Sequence, residues 1–180
     1  MALTYPSPEL SDGVVTLRPW REDDLDCIAQ AATDPRIPAG TTVPADFTRE
    51  AGLAFVRRQH GRVEAGEGVS LAIADDDRAV GLLWLGARPQ PGVAGLGYWV
   101  IPEARGRGIG TRAARLAAGW ALEAAGFARV EAWVAPDNVP SQRLLASAEF
   151  TFEGRLRSFL DEGQTDALVF SRVASDSPAE

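Results

Sequence analysis

Two groups of residues in this chain have the types and spacing to do chemistry. The first is ARGRGIGTRAAR, Ala104 to Arg115, in which Gly106, Gly108 and Gly110 alternate with Arg105, Arg107 and Ile109. A glycine-rich turn that leaves a strand and opens a helix aims backbone N–H groups and the positive end of the helix dipole at one place, where an anion fits. Glycine costs backbone entropy on ordering, so close approach of that anion to the backbone is the expected compensation. Glu103 to Arg115 holds four arginines and one glutamate, a net +3, in a chain whose total is -7. The second group is Asn138 and Ser141 in DNVPSQRLLASAEF. They put an amide and a hydroxyl at the start of a predicted helix, where such side chains also serve as caps for backbone N–H groups.

Other chemistries lack their residues. One cysteine, Cys27, and one histidine, His60, cannot build an intramolecular disulfide or a Cys/His zinc site, and no metal is expected. Cys27 lies in an apolar-periodic stretch and reads as a buried thiol. His60 follows Arg57 and Arg58 on a predicted surface helix. All eighteen basic residues are arginine. An acidic surface repels phosphate backbones, so nucleic acid is not expected as a partner, whereas a cationic amine would be attracted. The N-terminus has no basic segment followed by an apolar one, and no apolar run approaches the roughly 20 residues that span a bilayer. A cytoplasmic address with no membrane partner is the expectation.

The elements that must position these groups follow from periodicity and turn residues. At 180 residues with 46% hydrophobic content the chain suits one globular domain. Residues 1–12 read as an N-terminal segment, 13–173 as the domain and 174–180 as a disordered tail. A strand over Gly13 to Trp20 precedes a helix over Glu22 to Thr33, and the proline-rich Asp34 to Thr48 reads as mostly loop. A helix over Arg49 to Glu64 leads into three strands, GVSLAIADD, RAVGLLWLGAR and VAGLGYWVIP, arranged as an antiparallel meander. After the glycine run come a helix over Thr111 to Ala125 closed by Gly126, the strand ARVEAWVAP and a helix capped by Asp137 or Asn138 with Pro140 in its first turn. Two strands joined by DEGQ close a mixed α+β fold.

Three phosphate-binding patterns fit a glycine run. A Walker loop needs Gly-Lys-Ser/Thr, and the chain has no lysine. A dinucleotide fingerprint would place its third glycine at Thr111 and normally follows a first βα unit; it stays as an alternative. A plain glycine-rich turn with incidental arginines is another. The third pattern is the acyl-coenzyme A loop Arg/Gln-x-x-Gly-x-Gly/Ala, matched by Arg105, Gly108 and Gly110. Here the chain resembles the GNAT superfamily of N-acetyltransferases, over roughly Val14 to Val173. Asn138, Ser141, Leu145 and Phe150 are similar to the Asn-x-x-Ser-x-x-x-Leu-x-x-x-Gly-Phe segment of the subgroup that contains the ribosomal-protein N-terminal alanine and serine acetyltransferases. Glu149 stands where that segment has glycine. Arg157 and Asp166 match an Arg and an Asp of the subgroup's closing hairpin.

The resemblance implies a mostly antiparallel sheet of six to seven strands, splayed after the fourth and flanked by about four helices. It implies that acetyl-coenzyme A is the acyl donor and that a primary amine, a protein N-terminus or a small amine, attacks the thioester directly in a ternary complex. Backbone groups near Trp99, Val100 and Ile101 would bond the pantetheine arm. Arg105, Gly106, Arg107, Gly108, Ile109, Gly110 and Thr111 would form the phosphate loop. Many members protonate the departing thiolate with a tyrosine seven residues after the Asn, and that position is Leu145 here. In the resembled subgroup a serine on the same helix approaches the sulfur, and Ser141 matches it, so the resemblance implies Ser141 as the proton donor and Asn138 as a pantetheine ligand. Glu103, Asp166 or an acid of the Asp34 to Asp46 loop is the candidate base. Tyr98 and Trp99 alternate in facing, so one lines the acceptor cleft and the other packs inward. A larger acyl donor such as succinyl-coenzyme A, with Arg157 or Arg36 reading its carboxylate, and a non-catalytic coenzyme A sensor are the rivals. Monomer and homodimer are both compatible with the sequence.

Overall fold

The computed structural model describes residues 3–176. The strands are β1 Leu10–Ser11, β2 Val15–Pro19, β3 Val69–Asp75, β4 Arg78–Ala87, β5 Val93–Val100, β6 Arg129–Val134, β7 Thr151–Leu160 and β8 Thr165–Val173. They form one sheet in the order β1-β2-β3-β4-β5-β6-β8-β7. Every neighbouring pair is antiparallel except β5 and β6, which run parallel. The helices are α1 Leu25–Ala32, α2 Arg36–Gly40, α3 Arg49–Glu64, α4 Ile109–Glu123 and α5 Val139–Ser147.

One sheet face is covered by α1 and α3, and Trp20 links the layers there. Its ring meets Phe55 of α3 edge-on at 5.3 Å and lies 6.1 Å from Trp99 of β5. On the other face Ala113, Ala114, Ala117, Ala118 and Ala121 of α4 are buried. Their small side chains let this helix lie close to the strands it crosses. A bidentate pair between Arg18 and Asp24, both buried, ties β2 to the start of α1. Such a pair holds geometry more than it adds net stability.

The sheet has eight strands where six to seven were expected, because Leu10 and Ser11 pair with Leu17 and Thr16. Two residues are too few to show strand periodicity. The expected loop Asp34 to Thr48 contains a fifth helix, α2, since Pro35 at its N-cap has φ -60° and presets a helical start. Helix α3 has the expected bounds, opened by Thr48, whose hydroxyl accepts from the Ala51 N–H. Of the expected disordered tail, Ala174–Asp176 forms a 3-10 turn and residues 177–180 lie outside the described residues. Among the described residues no helix is long and apolar enough to cross a membrane.

Candidate active site

The parallel pairing of β5 with β6 covers only Val93 to Gly95 against Arg129 to Glu131. From Leu96 to Val100 the strand pairs with β4 alone, so the sheet opens a gap on its other side, at the fourth strand of the expected sheet. Antiparallel strands alternate their backbone groups between neighbours. The Ile101 N–H donates to the Val80 carbonyl at 2.9 Å, which directs Ile101 and Trp99 into the β4 ladder and turns Tyr98 and Val100 toward the gap. Of the three residues expected to bond the donor through their backbones, only Val100 therefore faces it. Trp99 and Ile101 are spent in the β4 ladder, and the Tyr98 backbone also turns toward the gap. Period two alone would have paired Tyr98 with Val100.

The glycine run stands at the mouth of this gap. Gly106 and Gly108 both have φ +76°, the left-handed region, with open space where a Cβ would lie. Gly110 is different: an added Cβ would come within 2.6 Å of Leu144 in α5 and 3.5 Å of Val100 in β5. For Gly110 the expectation of clearing space for a ligand is thus corrected: it lets the start of α4 pack against α5 and β5. Gly106 and Gly108 supply a left-handed backbone and leave open space beside it. Gly108 is the N-cap of α4 and gives it no side-chain cap, and the first turn carries no acid. The first intrahelical bond of this turn runs from the Arg112 N–H to the Gly108 carbonyl, so Ile109, Gly110 and Thr111 have N–H groups beyond the reach of helical acceptors.

The basic island is paired rather than bare. Arg105 meets Asp34 at 2.7 Å, Arg107 meets Asp75 at 2.8 Å, Arg112 meets Asp12 at 2.7 Å and Arg115 meets Glu149 at 3.3 Å. Arg105 also donates from Nε to the Val100 carbonyl at 2.9 Å, so it crosses from the loop to the open strand edge. Hydrogen bonds from Arg36 and then Arg105 hold the Asp34 carboxyl at about 2, well below the usual range.

Across the gap lies α5. Asn138 is its N-cap and accepts from the Ser141 N–H at 3.3 Å, with Pro140 in the first turn as expected. Ser141 does not spend its hydroxyl on the helix. Its Oγ lies 2.5 Å from the Tyr98 hydroxyl. Burial pushes the Tyr98 phenol up to about 12, against a smaller lowering by Ser141. Leu145 is buried. Glu149 keeps a left-handed φ of +69° where glycine would be usual, so the turn into Phe150 survives the substitution.

Three of the carboxylates considered as a base, Glu103, Asp166 and Asp34, are committed elsewhere, and Asp46 is exposed. Glu103 lies 3.5 Å from Arg78 at the surface. Asp166 accepts from the Ser158 N–H and from Arg155, which hold its carboxyl below the usual value. Asp34 is held by its two arginines. Cys27 is buried, and burial raises its thiol. The His60 Nε2 sits 2.7 Å from the Trp20 carbonyl. Among the described residues no group of three or more His, Cys, Asp or Glu is placed to hold a metal.

A sheet opened beside an uncapped, glycine-led helix start offers backbone donors and an open strand edge to an extended anionic ligand. Residues 15–151 match the family model described as an acetyltransferase (GNAT) domain, and the chain belongs to that family of N-acetyltransferases. No curated protein matches the sequence. Among solved structures, RimJ of Mycobacterium smegmatis in complex with CoA-disulfide is 26% identical, with a TM-score of 0.80, covering 96% of this chain and 88% of that one. RimL, a ribosomal L7/L12 alpha-N-protein acetyltransferase in complex with coenzyme A, is 17% identical with a TM-score of 0.76 over 94% and 99%. The ribosomal-protein-S5-alanine acetyltransferase of Vibrio fischeri is 20% identical with a TM-score of 0.73 over 94% and 99%.

Proposed function

We propose that this chain transfers acetyl from acetyl-coenzyme A to an α-amino group at a peptide N-terminus, in the cytoplasm, by direct attack in a ternary complex. The observation that carries the donor half is the row of unsatisfied N–H groups at the start of α4, aligned with the open backbone edge of β5. Pyrophosphate suits the first and a pantetheine amide the second. Arg107 and Arg112, 58% and 44% exposed, can leave Asp75 and Asp12 for phosphate oxygens. Surface pairs of this kind hold by no more than about 1 kcal/mol. Ser141, across the gap, donates to the departing thiolate. RimJ bound to a coenzyme A species supports the same donor.

The acceptor half rests on how Asp34 and Asp166 are held. An α-amine has a pKa of about 8, while a lysine side chain has one of about 10.4. The first is already half neutral near pH 8 and needs little help from the protein; the second would need a base that Asp34 and Asp166, both held ionised by donors, are poor at providing. Release of free coenzyme A should be measured from pH 6 to 10 with peptides that begin with Ser, Thr or Ala, and with N-terminally blocked peptides bearing lysine. Turnover of the unblocked peptides should rise and level off above pH 8. Turnover of the lysine peptides alone would refute the acceptor assignment.

A further inference from the structure

We infer that Tyr98 is the residue that orients and strengthens Ser141 as the proton donor, so that a phenol delivered from strand β5 does the work of the tyrosine that helix α5 lacks. The inference rests on the role proposed for Ser141. Its ground is the contact itself: the two hydroxyls lie 2.5 Å apart across the gap, between residues 43 positions apart in the chain. A second approach, from the Tyr98 hydroxyl to the Ser141 carbonyl at 3.4 Å, is too long to compete.

Direction follows from acidity. A phenol is a far stronger acid than an alkyl hydroxyl, so the Tyr98 O–H donates and Ser141 Oγ accepts. That leaves the single Ser141 proton free for the sulfur, and Asn138, which already holds the Ser141 N–H, fixes the backbone that carries it. Burial keeps Tyr98 protonated, and hence a donor, throughout the pH range in which an α-amine reacts.

The step balances within the reactants. The amine nitrogen bonds the thioester carbon, the C–S bond breaks with its electron pair on sulfur, and sulfur takes the Ser141 Oγ proton. The proton that nitrogen loses as the amide forms returns to Ser141 through water. Tyr98 gives up no proton; its hydrogen bond shortens as charge builds on Oγ. It is a positioning residue.

The test is a double-mutant cycle on the full chain, with kcat and the acetyl-coenzyme A KM read separately. Tyr98→Phe should lower kcat on the order of tenfold, the worth of one such hydrogen bond, with the donor KM within twofold. Ser141→Ala should lower kcat on the order of a hundredfold, and adding Tyr98→Phe to it should change kcat no further. Two losses that multiply in the double variant would make Tyr98 a structural residue and overturn the inference. So would an unchanged kcat in Tyr98→Phe beside a loss in Ser141→Ala, which leaves the Ser141 role standing. An unchanged kcat in Ser141→Ala removes both. Equal thermal stabilisation of all variants by acetyl-coenzyme A controls for folding.

Discussion

Helices α4 and α5 begin on opposite sides of the same gap, and they begin in opposite ways. The start of α4 is left open: a left-handed Gly108 at its N-cap, no side-chain cap and no first-turn acid. The start of α5 is closed: Asn138 caps the Ser141 N–H, and Pro140 has no N–H to offer. The open end has donors to give to a ligand. The closed end has spent its backbone donors and presents a side-chain hydroxyl instead. A helix start thus becomes a binding site by what it lacks, and a platform for a reacting group by being complete.

That contrast can be broken from either side. The largest effect should come from the closed end, where Ser141→Ala removes the proton donor for a kcat loss of roughly a hundredfold with little change in Tm. Next is Gly108→Ala at the open end. Open space surrounds the added methyl, so only its φ of +76° is at stake, at a cost of about 1–2 kcal/mol. Calorimetry should show the lower Tm, and the donor KM should rise as the N–H groups lose their aim. Asn138→Ala removes a cap worth about 1 kcal/mol. It should lower Tm while leaving the donor KM within a few-fold, which would separate a capping role from the donor-binding role also open to this residue.

The smallest effect is on pH dependence. The folded-state pKa of Asp34 is lowered, so its contribution to stability is present above the unfolded carboxyl value near 4 and is lost as pH falls toward about 2. Asp34→Asn should therefore lower Tm at pH 7, and its deficit against the parent protein should shrink between pH 4 and 2. A deficit constant with pH would mean that the Arg36 and Arg105 pairs do not act through charge.

Much of this site could be read from local patterns, and the parts that could not have a common cause. Helix α3 came out with its bounds intact, because periodicity and the Thr48 cap are properties of neighbouring residues. The glycine run declared its helix start for the same reason. What stayed hidden depends on strand register. Tyr98 meets Ser141, and Arg112 meets Asp12, only after the sheet has assembled. The +3 island likewise looked free because its carboxylates arrive from distant segments. Gly110 was misread as ligand clearance, since its real neighbour, Leu144, belongs to another helix. Glu149 ran the other way. It breaks the expected pattern, yet it holds the same left-handed turn, with Arg115 and Arg172 on its carboxylate.

The central claim is that the open start of α4 and the unpaired edge of β5 form a cradle for coenzyme A. The most direct test is the thermal midpoint with acetyl-coenzyme A, free coenzyme A and NAD, each in large excess. At about a hundred times Kd the two coenzyme A forms should add about 2.7 kcal/mol, a shift of several degrees, while NAD should add none. Stabilisation by NAD, or by none of the three, would contradict the account.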